Sequence, residues 1–237
     1  MQTLLSVTAL SFNYTSRTIL NALDLSLVSG EIISVLGANG AGKSTLLKCI
    51  LGLQPSDAII SGEILIAGHN LLKNPNEARQ NLAYVPEQAA VYEHLTAIEN
   101  IKYFLSLSST KATTDIKHCL AQVGLAEQAW HQPCQSYSKG MKQKVMLALA
   151  LAKQAKLLLL DEPNSGLDPQ ATDELNQLIL KCKNCDMGVL VVTHDVLSAF
   201  SFSDRIMMLE SGKLKPIELD GSPPTLSTLQ QLYQGKN

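Results

Sequence analysis

Gly37-Ala38-Asn39-Gly40-Ala41-Gly42-Lys43-Ser44-Thr45 follows the apolar run Glu31-Ile32-Ile33-Ser34-Val35-Leu36 and precedes Leu46-Leu47-Lys48-Cys49-Ile50-Leu51. The nine residues have the spacing G-x-x-x-x-G-K-[ST] of a phosphate-binding loop, the P-loop. The run before them has strand length, and Ser44 to Leu51 has helical character. A strand, a glycine turn and a helix aim successive backbone N–H groups at an anion on the positive end of a helix. Gly37, Gly40 and Gly42 are expected to take backbone angles that a Cβ would forbid. Lys43 is expected to reach the β- and γ-phosphates of a nucleoside triphosphate, and the Ser44 hydroxyl to ligate Mg²⁺. The whole stretch, with Ala38, Asn39, Ala41 and Thr45, is read as nucleotide-binding. An ordinary glycine-rich turn is the alternative, and the agreement of motif and context disfavours it.

A second signal lies downstream in Leu157-Leu158-Leu159-Leu160-Asp161-Glu162-Pro163. A carboxylate at the tip of a buried strand is where a P-loop enzyme needs one for Mg²⁺, which assigns Asp161. Glu162 is placed to orient an attacking water or take its proton. Two neighbouring acids are also expected to perturb each other's titration. A polar turn after a strand would look the same were there no P-loop upstream.

Between these signals the chain changes character. Leu4 to Phe12 and Ile19 to Leu27 read as strands; Leu23, Leu25 and Leu27 alternate with polar residues. Ser61 to Gly68 reads as a glycine-bounded strand and Leu82 to Pro86 as a short one. From about Thr96 to Ala155 the pattern is mostly helical. Thr96-Ala97-Ile98-Glu99 is a capping-box pattern, and Lys139 to Ala152 is an amphipathic helix. Asp168-Pro169 starts another helix in the favoured way. Gly188 to Thr193 and Arg205 to Leu209 read as further strands. The expected fold class is therefore α/β, a parallel-sheet nucleotide core interrupted by a helical insert.

The 237 residues suffice for one large domain or a domain with a subdomain. The net charge of −2 gives no nucleic-acid footprint. The start lacks a signal-peptide pattern, and no apolar run reaches the ~20 residues that span a bilayer. The chain is expected to be soluble, or held to a membrane only through a partner. Five cysteines without a framework suggest reduced thiols in a cytosol. Cys182 and Cys185 form a lone C-x-x-C with no second ligand pair, so they read as structural or incidental.

The ordered motifs, from Leu4 to about Leu214, resemble the nucleotide-binding subunit of ABC transporters. The resemblance implies a RecA-like P-loop NTPase core with an N-terminal antiparallel β part and an inserted α-helical subdomain. It makes residues 1–237 one ATPase domain, with the core in 1–88 and 157–237 and the helical subdomain in about 89–156. Tyr137-Ser138-Lys139-Gly140-Met141 matches the family's signature, with leucine, one glycine and glutamine replaced. Ser138, Gly140 and the helix N-terminus would face the γ-phosphate held by another subunit's P-loop, with Lys139 adding positive charge. A plain N-capped helix is the bland alternative. Asn164-Ser165-Gly166-Leu167-Asp168 matches the D-loop, giving Ser165 and Asp168 a role across the dimer; Asp168 is equally a helix N-cap. His194 matches the switch histidine at the γ-phosphate, although a lone histidine after an apolar strand is often just buried. Tyr14 suits the aromatic that stacks on adenine, against a packed strand aromatic. The family's usual Q-loop glutamine falls at Glu87, with Gln88 its neighbour; a carboxylate there could also reach Mg²⁺ or the attacking water, so Glu87 joins Glu162 and His194 as a candidate catalytic residue.

The resemblance further implies ATP and Mg²⁺ as cofactors, a second ATPase subunit (the same chain or a similar one) and an integral-membrane permease. It places the chain in the cytoplasm, peripheral on the inner face of the cell membrane. The Pro-Glu form and the Tyr-Ser-Lys-Gly-Met signature resemble exporter ATPases. A soluble ABC ATPase of an assembly system, such as cluster assembly, shares the motifs. A regulator without turnover is opposed by the presence of both Glu162 and His194.

Overall fold

The computed structural model describes residues 2–14, 17–55, 57–108, 115–217 and 225–227. Among the described residues two sheets and seven α-helices follow the alternation of the sequence. β1 (Thr3–Tyr14), β2 (Arg17–Val28), β4 (Ala58–Ile66) and the two-residue β5 (His69–Asn70) form an antiparallel sheet in the order β2-β1-β4-β5. β3 (Ile32–Leu36), β6 (Leu82–Val85), β7 (Leu157–Asp161), β8 (Gly188–Thr193), β9 (Arg205–Glu210) and β10 (Lys213–Pro216) form the second sheet. Its order is β10-β9-β3-β8-β7-β6, parallel apart from the β9–β10 hairpin.

Strand periodicity decides what covers each face of the second sheet. Ile33, Val35, Leu157, Leu159, Leu190 and Val192 point one way, onto Leu46, Leu47 and Ile50 of helix α1 (Lys43–Leu51) and the apolar side of the antiparallel sheet. Ile32, Leu158, Leu160, Val189 and Val191 point the other way. They meet Val145 and Leu147 of α5 (Lys139–Ala152) and Leu175 and Ile179 of α6 (Pro169–Asn184). Burial on both faces explains why these strands read as continuous apolar runs.

The chain crosses from β6 to β7 through three helices: α3 (Ala97–Leu107), α4 (Ile116–Gln122) and α5. The capping box at α3 is complete: Glu99 N–H donates to Thr96 Oγ1, and Thr96 N–H donates back to the Glu99 carboxylate. Two short helices, α2 (Pro75–Gln80) and α7 (Val196–Phe202), and the strand β10 add to the elements expected from sequence.

One strand differs from expectation. β4 begins at Ala58, not Ser61, and ends before Ala67 and Gly68, which form a turn at positive φ. Gly62 is inside the strand, not at its boundary. It has φ +97°, and a Cβ there would stand 2.6 Å from the carbonyl oxygens of Thr8 and Ala9. The glycine admits an irregularity in the β1–β4 register between Thr8 and Ser11.

Candidate nucleotide site

The site is assembled at the C-terminal ends of three adjacent parallel strands, β3, β8 and β7. Neighbouring strands are about 4.8 Å apart, so residues far apart in sequence converge there. β3 ends at Leu36 and opens into the P-loop, which leads into α1. Gly40 (φ +81°) and Gly42 (φ +106°) take left-handed conformations, as expected. Gly37 does not. A Cβ there would stand 2.8 Å from the Leu209 carbonyl oxygen, so close packing against β9 is what requires that glycine.

Ala41 N–H donates to the Ala38 carbonyl, which closes the first half of the loop around Asn39 and Gly40. Ser44 and Thr45 sit in the first turn of α1, at its positive end. Lys43 is only 7% exposed. Its ammonium donates to the Gly37 and Ala38 carbonyls at 2.6 and 3.3 Å and stands 3.6 Å from Glu162 Oε1.

Glu162 follows directly on β7 and has φ +44°, a left-handed backbone that is costly for a side-chain-bearing residue. Its N–H donates to the Val192 carbonyl, and its own carbonyl accepts from Ser165 N–H. This turn directs the carboxylate across to the end of β8. There Oε2 accepts from Thr193 Oγ1 at 2.9 Å, His194 N–H at 3.1 Å and His194 Nδ1 at 2.8 Å. A carboxylate only accepts, so Nδ1 carries the histidine proton and Nε2 is left to face outward. The imidazole is 56% exposed and the Glu162 side chain 14%. His194 is therefore no buried packing residue.

Asp161, the last residue of β7, accepts from Tyr84 Oη at 3.3 Å. Burial is the main cause that pushes its carboxyl above the ordinary carboxylate value; the Tyr84 hydrogen bond works against this. The Glu162 and Glu87 carboxylates push it further up, and Lys43 pulls it down. Burial and the Asp161 charge push the Tyr84 hydroxyl up to about 12. Glu87, just past β6, accepts from Ser165 Oγ at 2.8 Å. Its backbone carbonyl, with that of Pro86, accepts from the buried Gln143 amide of α5 at 3.3 Å. Both Glu87 and Gln88 are exposed, and Glu87 is the one that acts on Asp161.

Tyr14 ends β1 and is 44% exposed, whereas its neighbour Phe12 is buried in the core. Ser138 N-caps α5, accepting from Met141 N–H at 3.2 Å. Gly140 lies beside Leu167 and Ala171 at the start of α6. Asp168 N-caps α6, accepting from Ala171 N–H at 2.9 Å.

Other supporting residues escaped the sequence reading. Asn164 donates to Asn176 Oδ1 at 2.9 Å and to Ser198 Oγ at 2.8 Å. Ser198 in turn hydrogen-bonds to Asp195, the N-cap of α7. These polar side chains tie the segment after Glu162 to α6 and α7. Their only sequence signal is that Asn176 and Ser198 occupy inward-facing helix positions. The Thr193 hydroxyl also went unassigned; it caps both Glu162 and, as acceptor, the Asp195 N–H.

A family model described as "ABC transporter" matches residues 20–165. The chain is 35% identical over 205 residues to an uncharacterized ABC transporter ATP-binding protein of Haemophilus influenzae, covering 85% of this chain and 80% of the relative. It is 33% identical over 215 residues to the glutamine transport ATP-binding protein GlnQ of Escherichia coli, covering 88% and 87%. It is 33% identical to the linearmycin resistance ATP-binding protein LnrL of Bacillus subtilis, covering 85% and 64%. A solved structure of an ATP binding subunit of an ABC transporter is 32% identical with a TM-score of 0.81, covering 98% and 99%. A dimeric ATP-binding cassette in a post-hydrolysis state, bound to ADP and Pi, is 27% identical with a TM-score of 0.77, covering 92% and 99%.

Proposed function

From the premise that this chain belongs to the ABC transporter family as an ATP-binding, ATP-hydrolysing subunit, we propose that it dimerises and drives an integral-membrane permease. The observation that carries the chemistry is the Glu162 carboxylate. It is held by Thr193 and His194 at one oxygen and faces Lys43 with the other. Such a carboxylate orients a water and accepts its proton, while the lysine and the loop N–H groups hold phosphate charge. His194, 56% exposed, would meet the γ-phosphate through its other ring nitrogen.

The donor set fits magnesium: a hydroxyl at Ser44 and a half-buried carboxylate at Asp161 are hard oxygen ligands. Bound there, the ion would neutralise charge on the β- and γ-phosphates. Tyr84 would fix the Asp161 carboxylate. Tyr14 offers an exposed aromatic face to the base. Ser138 and Gly140 would complete the site of the other subunit, and Ser165 and Asp168 would communicate between the two. In this reading 1–88 and 157–237 bind nucleotide, and about 89–156 carries the signature; 218–224 and 228–237 lie outside the described residues.

Two features support a membrane partner. The first is the family itself, whose ATP-binding subunits work with membrane permease components; among the described residues no helix is long and apolar enough to cross a membrane. A groove lined by Leu53, Phe104, Leu105 and Met146, with Arg79 and Lys153 at its side, separates the helical segment from the core. Beside it Tyr92, Tyr103 and Phe104 pack edge-to-face or tilted, with ring centroids 5.0 to 5.7 Å apart, and both tyrosines are exposed. A permease docked there would hold the chain on the inner membrane face. Export is the favoured direction, supported by the resemblance of the signature alone; a relative named for spermidine/putrescine import, PotA of Spiroplasma citri, 33% identical, supports the other direction.

The test is co-purification of the tagged chain from detergent-solubilised membranes, together with its ATPase rate. Recovery of a polytopic membrane protein and ATP-dependent dimerisation are expected. Recovery of a soluble scaffold instead would replace the transport reading with an assembly ATPase.

A further inference from the structure

The signature end of α5 is tied to the acids of its own chain. Lys139, the first residue of α5, donates through Nζ to the Ser165 carbonyl at 2.5 Å. Ser165 has two further bonds. Its hydroxyl donates to Glu87 Oε1 at 2.8 Å, and its N–H donates to the Glu162 carbonyl at 3.1 Å. One residue thus receives a lysine and holds both a side-chain carboxylate and the backbone of Glu162. The latter backbone sits at φ +44°, a conformation that persists only where its surroundings enforce it.

We propose that Lys139 is a positioning residue for hydrolysis. Its ammonium fixes Ser165, and through Ser165 it sets the Glu162 turn and the direction of the Glu87 carboxylate. A residue of ordinary size without charge at position 139 would leave the Ser165 carbonyl unmatched and the turn free to relax. The inference rests on the reading that Glu162 and Glu87 serve ATP hydrolysis. The three bonds themselves lie within one chain.

The experiment is a double-variant cycle on ATP turnover by the purified full-length chain. Lys139→Met and Ser165→Ala are each expected to lower kcat about tenfold, the scale of a lost hydrogen bond to a charged group. KM for ATP should stay unchanged. The double variant should be no slower than Lys139→Met, since the lysine acts through both bonds that Ser165 makes and the alanine removes only the one to Glu87. Lys139→Arg, which keeps a long cationic donor, should recover most of the rate. Thermal unfolding of each variant checks folding, and Lys139→Gln replaces the methionine if that variant is unstable. Three results would overturn the proposal: wild-type kcat in Lys139→Met, losses that multiply in the double variant, or a raised KM at unchanged kcat. The last would place Lys139 directly on a nucleotide. A Glu162→Gln arm separates the premises: wild-type turnover there defeats the assignment of Glu162 itself.

Discussion

Glu162 and His194 are joined twice through one atom: Oε2 accepts from both the backbone N–H and Nδ1 of His194. The two residues close β7 and β8, which are neighbours in the sheet. The backbone bond fixes the position of the carboxylate and the ring bond fixes the tautomer of the histidine. A single oxygen thereby orients both the acid and the imidazole.

Glu162→Gln keeps the size of the side chain but cannot take a proton. ATP binding should persist, while kcat falls by about 10² to 10⁴. Single-turnover rates and equilibrium binding measured side by side test this, and near wild-type turnover would remove Glu162 from the chemistry.

Lys43→Ala should lose ATP binding. The point charge for the β- and γ-phosphates disappears, and the Gly37 and Ala38 carbonyls lose their donor. Calorimetric titration showing unchanged affinity would contradict the assignment.

Gly37 and Gly40 should respond differently to alanine. At Gly37 the new Cβ meets the Leu209 carbonyl at 2.8 Å, and backbone cannot step aside cheaply. At Gly40 nothing lies within 4 Å, and only the positive φ opposes the change, at about 1–2 kcal/mol. Denaturant melts should therefore rank Gly37→Ala as the more destabilised. Equal midpoints would argue that β9 does not press on the loop.

The folded chain binds the Asp161 proton more tightly than the unfolded chain, because burial raises the carboxyl above its ordinary 3.8. The associated stability is complete below that value and is lost as pH rises through the raised one. At neutral pH the charged Asp161 is thus a net burden on the fold without metal. Asp161→Asn, whose amide oxygen can still accept from Tyr84, should raise the melting temperature at pH 7.5 in chelator, by about 2–4 °C for each kcal/mol. The advantage should shrink towards pH 4. A lower melting temperature at pH 7.5 would reverse the sign of the argument.

Four of the five cysteines are buried, and Cys185 is exposed. Burial pushes the thiols of Cys49 and Cys182 up to about 12, leaving roughly one molecule in ten thousand as thiolate at pH 8. Native labelling with a disulfide reagent should give one fast equivalent, and Cys185→Ser should abolish it.

Features written in contiguous residues were legible in the sequence. The P-loop, the Asp161-Glu162 pair, the span of α5 and the Thr96 capping box each depend on spacing within one element, and spacing is visible. Others depend on what the fold brings alongside. Gly37 was assigned to backbone freedom, but its need arises from Leu209, far away in the chain. Gly62 looked like a boundary because its close neighbours are carbonyls of β1. The links of Lys139 to Ser165 and of Ser165 to Glu87 join the start of α5 to two separate loops, so no periodicity records them. The helices α2 and α7 are too short to build a convincing helical pattern.

Among the described residues β6 is the margin of its sheet, bonded only to β7, and it is the strand from which the helical segment departs. In hydrogen exchange, amides of β3, β7 and β8 meet a neighbouring strand whichever way they point, and freeing the whole strand takes release on both sides. Those of β6 need release from a single neighbour. The fold therefore carries a graded resistance to opening, low where the helices attach and high beneath Lys43 and Glu162. The helical segment can swing or fray from its attachment while the phosphate-handling floor keeps its shape.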